Sequence, residues 1–388
     1  MTEVARSIGV SADTLRRWMR ERIVPVGDDG WTPAAVAQAR IVARLRERGH
    51  SLDDVRRAAH SGRLAYGYME ELFPPQTGHV SLRDAAREAG LQPALIRRIW
   101  TAAGFSTAML DEEGISDDDL QLLRYMAAVL EAGFPLVAFL QLVRVYGQAL
   151  SAIADAEVKL FHLFVHEPLI RDGVDGMEIA EEMEGLAAEL LPLASPIMDH
   201  VHLRFLQHFI EQDVVGHLEL EVDGDADLGR LRVAIAFADL AGYTRLTEEA
   251  GEEEALDIVE RFVESVESTL PDDARVVKTI GDEVMVVGSD ASALVDWAVG
   301  FQLMQTERPR PRIGIHAGGA LYRDGDYFGR AVNLASRVGA RAAGGEVLVT
   351  RDVVDAAGGH LSFKHIGEVR LKGFNEATEL FLATRGKR

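Results

Sequence analysis

Phe237-Ala238-Asp239-Leu240-Ala241-Gly242-Tyr243-Thr244 sets the fold of the second half of this 388-residue chain. It closes the apolar run Leu231 to Phe237, which reads as a buried strand, and opens a polar segment that turns helical near Thr244. A carboxylate at the end of a buried strand, with a glycine and a helix start behind it, stands where backbone amides and metal-bound phosphates can meet. Aspartates also cap turns, so the meaning of Asp239 depends on its partners further along the chain.

Beyond Thr244 the chain alternates strand and helix. Glu252 to Leu270 has helical periodicity through Leu256, Val259, Val263 and Val266. Arg275 to Thr279 and Val284 to Gly288 read as strands joined by a turn at Gly281-Asp282. Then come a helix from Ala291 to Gln305, a strand from Arg312 to Ala320, a helix from Val332 to Ala343, and strands at Glu346 to Thr350 and Thr378 to Ala383. The order βαββαβ with appended strands predicts a ferredoxin-like α+β sandwich.

In such a sheet the first strand and the hairpin are neighbours, so Asp239 and Asp282 can converge on one edge. Two converging carboxylates suit Mg²⁺ or Mn²⁺, and a pair of such ions can activate a hydroxyl and hold a departing phosphate in line. A hairpin turn with glycine and aspartate is also common on structural grounds alone. In Asp326-Tyr327-Phe328-Gly329-Arg330-Ala331-Val332-Asn333-Leu334-Ala335-Ser336-Arg337, the amide of Asn333 and the guanidinium of Arg337 stand four apart and share a helix face. Together they suit a sugar oxygen and a phosphorus under attack.

These three segments, in this order, resemble the catalytic domain of class III nucleotidyl cyclases over about Arg230 to Arg388. The resemblance implies that Asp239 and Asp282 are metal ligands, with the Leu240 carbonyl as a backbone ligand and two Mg²⁺ or Mn²⁺ ions per site. It implies that Lys278 and Asp326 select adenine, the first through ring N1 and the second through the exocyclic amine. Guanylate cyclases carry a Glu and Cys type there, so the substrate implied is ATP. Asn333 and Arg337 fall on the transition-state pair. Lys372, in Leu371-Lys372-Gly373-Phe374, falls where terminal phosphates are contacted, although the family often has a second lysine where this chain has Phe374. In the family each site lies between two catalytic domains. One chain carrying the full set therefore implies a head-to-tail homodimer with two sites. The ATP 3′-hydroxyl, deprotonated near one metal, then attacks the α-phosphate and expels pyrophosphate, leaving 3′,5′-cyclic AMP.

The first half contains an internal repeat. Ala5-Arg6-Ser7-Ile8-Gly9-Val10 with Arg16-Arg17-Trp18 recurs as Ala86-Arg87-Glu88-Ala89-Gly90-Leu91 with Arg97-Arg98-Ile99. Thr32-Pro33 and Ser116-Asp117 are matching helix starts. The repeats, about 1–66 and 80–146, read as helix-turn-helix units and resemble the winged-helix DNA-binding domain of MerR-type regulators in tandem. Arg16, Arg17, Arg20 and Arg22 suit a groove reader, but Asp111, Glu112, Glu113 and Asp117 to Asp119 give the second unit the wrong charge for phosphates. A scaffold for dimerisation or sensing fits better than DNA binding.

Ser151 to Leu193 continues as helices with one apolar face, which is either plain core or a pocket for a fatty acid or other apolar ligand. His162, His166, His200, His202, His208 and His217 titrate near neutrality, as a proton sensor or as ordinary histidines. Pro196 to Val215 reads as a separate helix, placed to transmit motion. It leads to a boundary at Val222-Asp223-Gly224-Asp225-Ala226-Asp227. The domain order also resembles actinobacterial cyclases whose helical regulatory domains hold catalytic halves apart and respond to pH or fatty acids.

Bulk properties agree with a soluble multidomain protein. The chain has 47% hydrophobic and 27% charged residues, no cysteine, and a formal charge of −21. Disulfides and thiolate metal sites are excluded, and non-specific nucleic-acid binding by the whole molecule is disfavoured. The apolar stretch Met126 to Val143 is interrupted by Glu131 and Pro135, so it reads as a buried helical pair and not a membrane span. The start of the chain has no apolar signal core, and a cytoplasmic location is expected. The expected layout is a helical regulatory domain at 1–195, a transmitting helix and linker at 196–229, and a cyclase domain at 230–388. The competing readings are a DNA-binding regulator whose cyclase-like half senses nucleotide, and a guanylate cyclase.

Overall fold

A computed structural model describes residues 1–24, 26, 30–64, 78–112, 114–174, 176–220, 230–357 and 359–386. Residues 221–229, which include the boundary expected at Val222 to Asp227, lie outside the described residues. Packing divides the chain into two units, Met1–Leu206 and Gln207–Arg388.

Caps written into the sequence start the helices of the first unit. After α1 (Thr2–Ile8), the Ser11 hydroxyl accepts from the Thr14 amide at 3.0 Å and opens α2 (Ala12–Arg20). Thr32 opens α3 (Pro33–Glu47) with proline in its first turn, and Ser51 opens α4 (Leu52–His60) through a capping box. Ser81 then opens α5 (Leu82–Ala89), which is followed by α6 (Pro93–Ala103) and the short α7 (Met109–Glu112). Ser116 opens α8 (Asp117–Glu131), and α9 (Leu136–Phe161) comes next. Gly9 and Gly90 end α1 and α5 in the left-handed region, at φ 78° and 70°, where a Cβ would be strained. Leu15, Trp18, Ile23, Val42 and Val55 fill one core, and Ile96, Ile99, Trp100, Leu123 and Phe139 fill another.

The helical pair expected around Met126 to Val143 is present as α8 and α9, but it is not wholly buried: Tyr125, Val137, Tyr146 and Leu150 are exposed. Among the described residues, one helical run, Leu136–Arg171, is long and apolar enough to cross a membrane by length and composition, with a mean hydropathy of 1.5. That run includes a π-helical turn at His162–His166 and α10 (Glu167–Arg171). His166 is buried. Its Nε2 lies 3.1 Å from the Gly62 carbonyl oxygen, which can only accept, so the neutral ring presents Nδ1 as acceptor to His162 Nδ1 at 3.0 Å. The other described histidines of the expected sensor group, His200, His202 and His208, are exposed on a later helix.

That helix, α11 (Gly176–Leu220), is continuous for 45 residues and contains Pro192 and Pro196. The expected break between Leu193 and Pro196 is absent. Each proline withholds one amide, which orphans the carbonyls of Ala188 and Pro192. These residues stand four apart on one exposed face, where water can satisfy both oxygens, so the helix need not stop. The unit boundary falls within α11.

The second unit is built on β1 (Arg230–Leu240), which lies in the middle of its sheet. The subsequent elements are α12 (Tyr243–Ala250), α13 (Glu252–Thr269), β2 (Ala274–Ile280), β3 (Glu283–Gly288) and α14 (Ala291–Met304). Then come β4 (Pro311–Arg323), β5 (Asp326–Phe328), α15 (Arg330–Arg341), β6 (Val347–Thr350), α16 (Arg351–Ala356), β7 (Leu361–Arg370) and β8 (Ala377–Arg385). The strand order is β2-β3-β1-β4-β6-β8-β7, with β5 paired to β4; β4 and β6 run parallel and the other pairs antiparallel. β1 reads as an unbroken apolar run because both its faces are covered. Ala234, Ala236 and Ala238 meet Phe262, Leu294, Trp297 and Phe301, while Val233, Ile235 and Phe237 meet Met285, Val287 and α15.

β5 and β7 are not legible as strands. β5 has three residues, and β7 alternates with mostly exposed charged positions, so neither shows an apolar run. α15 lies directly on β4. A Cβ built on Gly314 would fall 1.9 Å from the Gly339 nitrogen, so the two glycines set how closely the helix carrying Asn333 and Arg337 approaches the sheet.

Candidate active site

Register brings one acidic cluster together. β1 runs between β3 and β4, and Asp239 stands opposite Glu283 on one side and Arg312 on the other. Arg312 Nε donates to Asp239 Oδ2 at 2.8 Å, and Nη2 donates to the same oxygen. Asp282, in the β2–β3 turn, lies close enough to Asp239 for the two carboxyl groups to act on one another. Burial first, and then the closeness and charge of Asp239, push the Asp282 carboxyl up to about 7, against the pull of Arg312. Burial and the charge of Asp239 also raise Glu283, while Arg312 and Arg337 oppose that rise. Leu240, the last residue of β1, stands opposite Pro311, and the next residue, Ala241, donates its amide to the Arg310 carbonyl at 3.1 Å, so the Leu240 carbonyl turns away from β4.

Lys278 and Asp326 form a second cluster through an ion pair between Nζ and Oδ2. The other oxygen, Oδ1, accepts from the Tyr327 amide at 2.8 Å, which fixes the carboxylate on β5. A bulge at Val277 shifts the β2–β3 register, so that Arg275 pairs with Val287 and Lys278 with Met285. Residues three apart in a regular strand face opposite sides. The extra residue returns Lys278 to the face of Arg275, above the layer containing Met285, Val287 and Tyr327.

The third cluster lines an open groove of about 890 Å³ that includes Asn333, Arg337, Lys372 and Phe374. Asn333 and Arg337 lie one turn apart on α15, whose N-terminus adjoins Gly329. Lys372 comes from the turn between β7 and β8. Arg330 stacks over Phe374 at 5.3 Å. Phe374 therefore supplies an aromatic wall in place of a second lysine.

The residues singled out by sequence thus gather as Asp239 with Asp282, Lys278 with Asp326, and Asn333 with Arg337 and Lys372. Arg312 and Glu283 escaped the sequence reading. Both are placed by the register against Asp239, and no local spacing signals a register. Among the described residues no group of three or more His, Cys, Asp or Glu side chains gathers to hold a metal. The acidic cluster offers two carboxylates and a main-chain carbonyl, the donor chemistry of a hard cation that also keeps water or phosphate ligands.

Comparison with known proteins finds a family match in each half of the chain. Residues 27–210 match the adenylate cyclase regulatory domain, and residues 230–384 match the adenylate and guanylate cyclase catalytic domain. The pH-sensitive adenylate cyclase MT1302 of Mycobacterium tuberculosis is 30% identical over 379 residues, covering 93% of this chain and 91% of that protein. An adenylate cyclase of Streptomyces coelicolor is 32% identical and covers 68% of each. Among solved structures, the adenylyl cyclase CyaB from P. aeruginosa aligns over 41% of this chain and 96% of its own, with 23% identity and a TM-score of 0.38. The chain belongs to the class III adenylate cyclases, with an adenylate cyclase regulatory domain ahead of its catalytic domain.

Proposed function

We propose that this chain converts ATP to 3′,5′-cyclic AMP and pyrophosphate at sites shared between two copies. The observation that carries the reading is the gathering of Asp239 and Asp282 at one end of β1 and the adjoining β2–β3 turn, where burial and the neighbouring charge of Asp239 push the Asp282 carboxyl up. A divalent cation relieves that repulsion. Asp239, Asp282 and the Leu240 carbonyl would hold Mg²⁺ or Mn²⁺, which when bound supplies positive charge beside the reacting phosphate.

The chain's own side chains do the remaining work. Lys278 donates to adenine N1 and Asp326 accepts from the exocyclic amine, so ATP parts an ion pair that already holds both groups at the same place. The family match covers adenylate and guanylate cyclases alike, and this pair favours adenine. Asn333 orients the ribose, and Arg337 meets charge growing on the α-phosphate. Lys372 takes the terminal phosphates. The 3′ oxygen bonds to the α-phosphorus as the bond to the bridging oxygen breaks. The hydroxyl proton goes to solvent and pyrophosphate leaves.

In the dimer, the acidic cluster of one copy faces the groove of its partner. Residues 1–195 regulate, 196–229 connect, and 230–388 catalyse. A pH response is favoured by the contact between half-exposed His162 and buried His166, and the related protein MT1302 is named as pH-sensitive. DNA binding is disfavoured, since Arg16, Arg17 and Arg97 are engaged by Asp13, Glu21 and Asp111. Purified protein with Mn²⁺ and ATP should yield cyclic AMP, with GTP turned over far less. No product from either nucleotide would overturn the reading.

A further inference from the structure

Arg275 lies on β2, on the face it shares with Lys278, and its guanidinium is held by two rings. Its Cζ stands 5.0 Å from the Phe209 centroid and 5.6 Å from the Tyr327 centroid, and Nη2 donates to the Tyr327 hydroxyl at 3.1 Å. Tyr327 is buried, and Tyr322, its partner across the β4–β5 ladder, packs edge-on against it at 5.2 Å. Its amide fixes Asp326. Phe209 belongs to α11, past the boundary at Leu206, in the same unit as Arg275.

We propose that Arg275 is a positioning residue for adenine selection, clamped between Phe209 of α11 and Tyr327 of β5 so that Asp326 is set against Lys278. β5 is three residues long and, among the described residues, pairs with β4 alone, so its own ladder does little to fix it. Arg275 ties it to β2 from the side, in a fork-and-stack geometry that lysine or methionine cannot reproduce. The bulge at Val277 is what makes this possible, since it puts the tie and the base-reading lysine on one face. Phe209 closes the outer side of the guanidinium, so the position of α11 is felt at the adenine pocket as nucleotide preference and KM. The inference rests on the assignment of Lys278 and Asp326 to the base.

The test uses the full-length chain with ATP and GTP in parallel. Arg275→Met and the milder Tyr327→Phe should raise KM for ATP and lower ATP-over-GTP preference, by about tenfold and about threefold, with kcat for ATP changed less than about twofold. Phe209→Leu should shift both in the same direction by about threefold, and Phe209→Trp should restore them. A purely structural role would lower kcat for both nucleotides alike and leave preference unmoved. That result, or a Phe209→Leu variant with unaltered KM, would overturn the inference. Lys278→Ala separates the two claims. If it erodes preference while Arg275→Met does not, only the inference fails; if it leaves preference intact, the base assignment fails and the inference with it.

Discussion

Arg312 clasps the carboxylate of Asp239 across the β1–β4 ladder, with Nε 2.8 Å from Oδ2, although the two residues lie 73 positions apart in sequence. The contact is well shielded: the Asp239 side chain is 14% exposed and that of Arg312 32%. It holds one carboxylate of a crowded acidic cluster in place.

Arg312→Gln therefore removes the counter-charge to Asp239, Asp282 and Glu283 together. In metal-free buffer the catalytic unit should lose about 1–2 kcal/mol of stability, read as a lower urea midpoint. Added Mg²⁺ should recover more of that loss in the variant than it adds to the parent. An unchanged midpoint would show that the cluster does not need its arginine.

Gly314→Ala places a methyl group in the backbone of α15. The helix must lift, at a cost of about 1–3 kcal/mol, and carry Asn333 and Arg337 with it. Both thermal stability and kcat should fall. A stable variant with full kcat would contradict the close packing of α15 on β4.

Burial holds the His166 imidazole below its ordinary value of 6.5, helped by neighbouring His162 and opposed by the Gly62 carbonyl and Glu167. The unfolded chain then binds more protons than the native one below about 6.5. The stabilisation is thus complete above that pH and is lost as pH falls from there toward the depressed folded value. His316, buried among Thr350, Asp352 and Arg330, is shifted in the same direction and adds with the same sign. Unfolding midpoints at pH 7.5 and 5.5 should differ less in His166→Asn than in the parent. Equal differences would remove His166 from the pH response.

Lys278→Glu with Asp326→Cys should reduce ATP-over-GTP preference at least about tenfold, measured as a ratio of kcat/KM values. Preference that survives the double change would place base recognition elsewhere.

Much of the catalytic unit is legible because its strands are short apolar runs bounded by turns, and Asp239, Asp282, Asn333 and Arg337 each sit at a strand end or on a helix face. What the sequence hides is long-range. Arg312 reaches Asp239 only through the register of a ladder. The Val277 bulge is invisible in a run of β-branched residues, yet it decides which face Lys278 occupies. β5 is too short to show a period. α11 looks broken at Pro192 and Pro196, but an exposed face lets water take over the orphaned carbonyls.

The central claim is that neither copy holds a complete site. It is tested most directly by mixing Asp239→Ala protein with Arg337→Ala protein, each inactive alone, and measuring cyclic AMP. Random pairing should make about half the dimers mixed, each with one intact site of two, restoring about a quarter of parental activity. A mixture as silent as its components, under conditions where subunits exchange, would mean that each chain works with its own residues and would contradict the shared site.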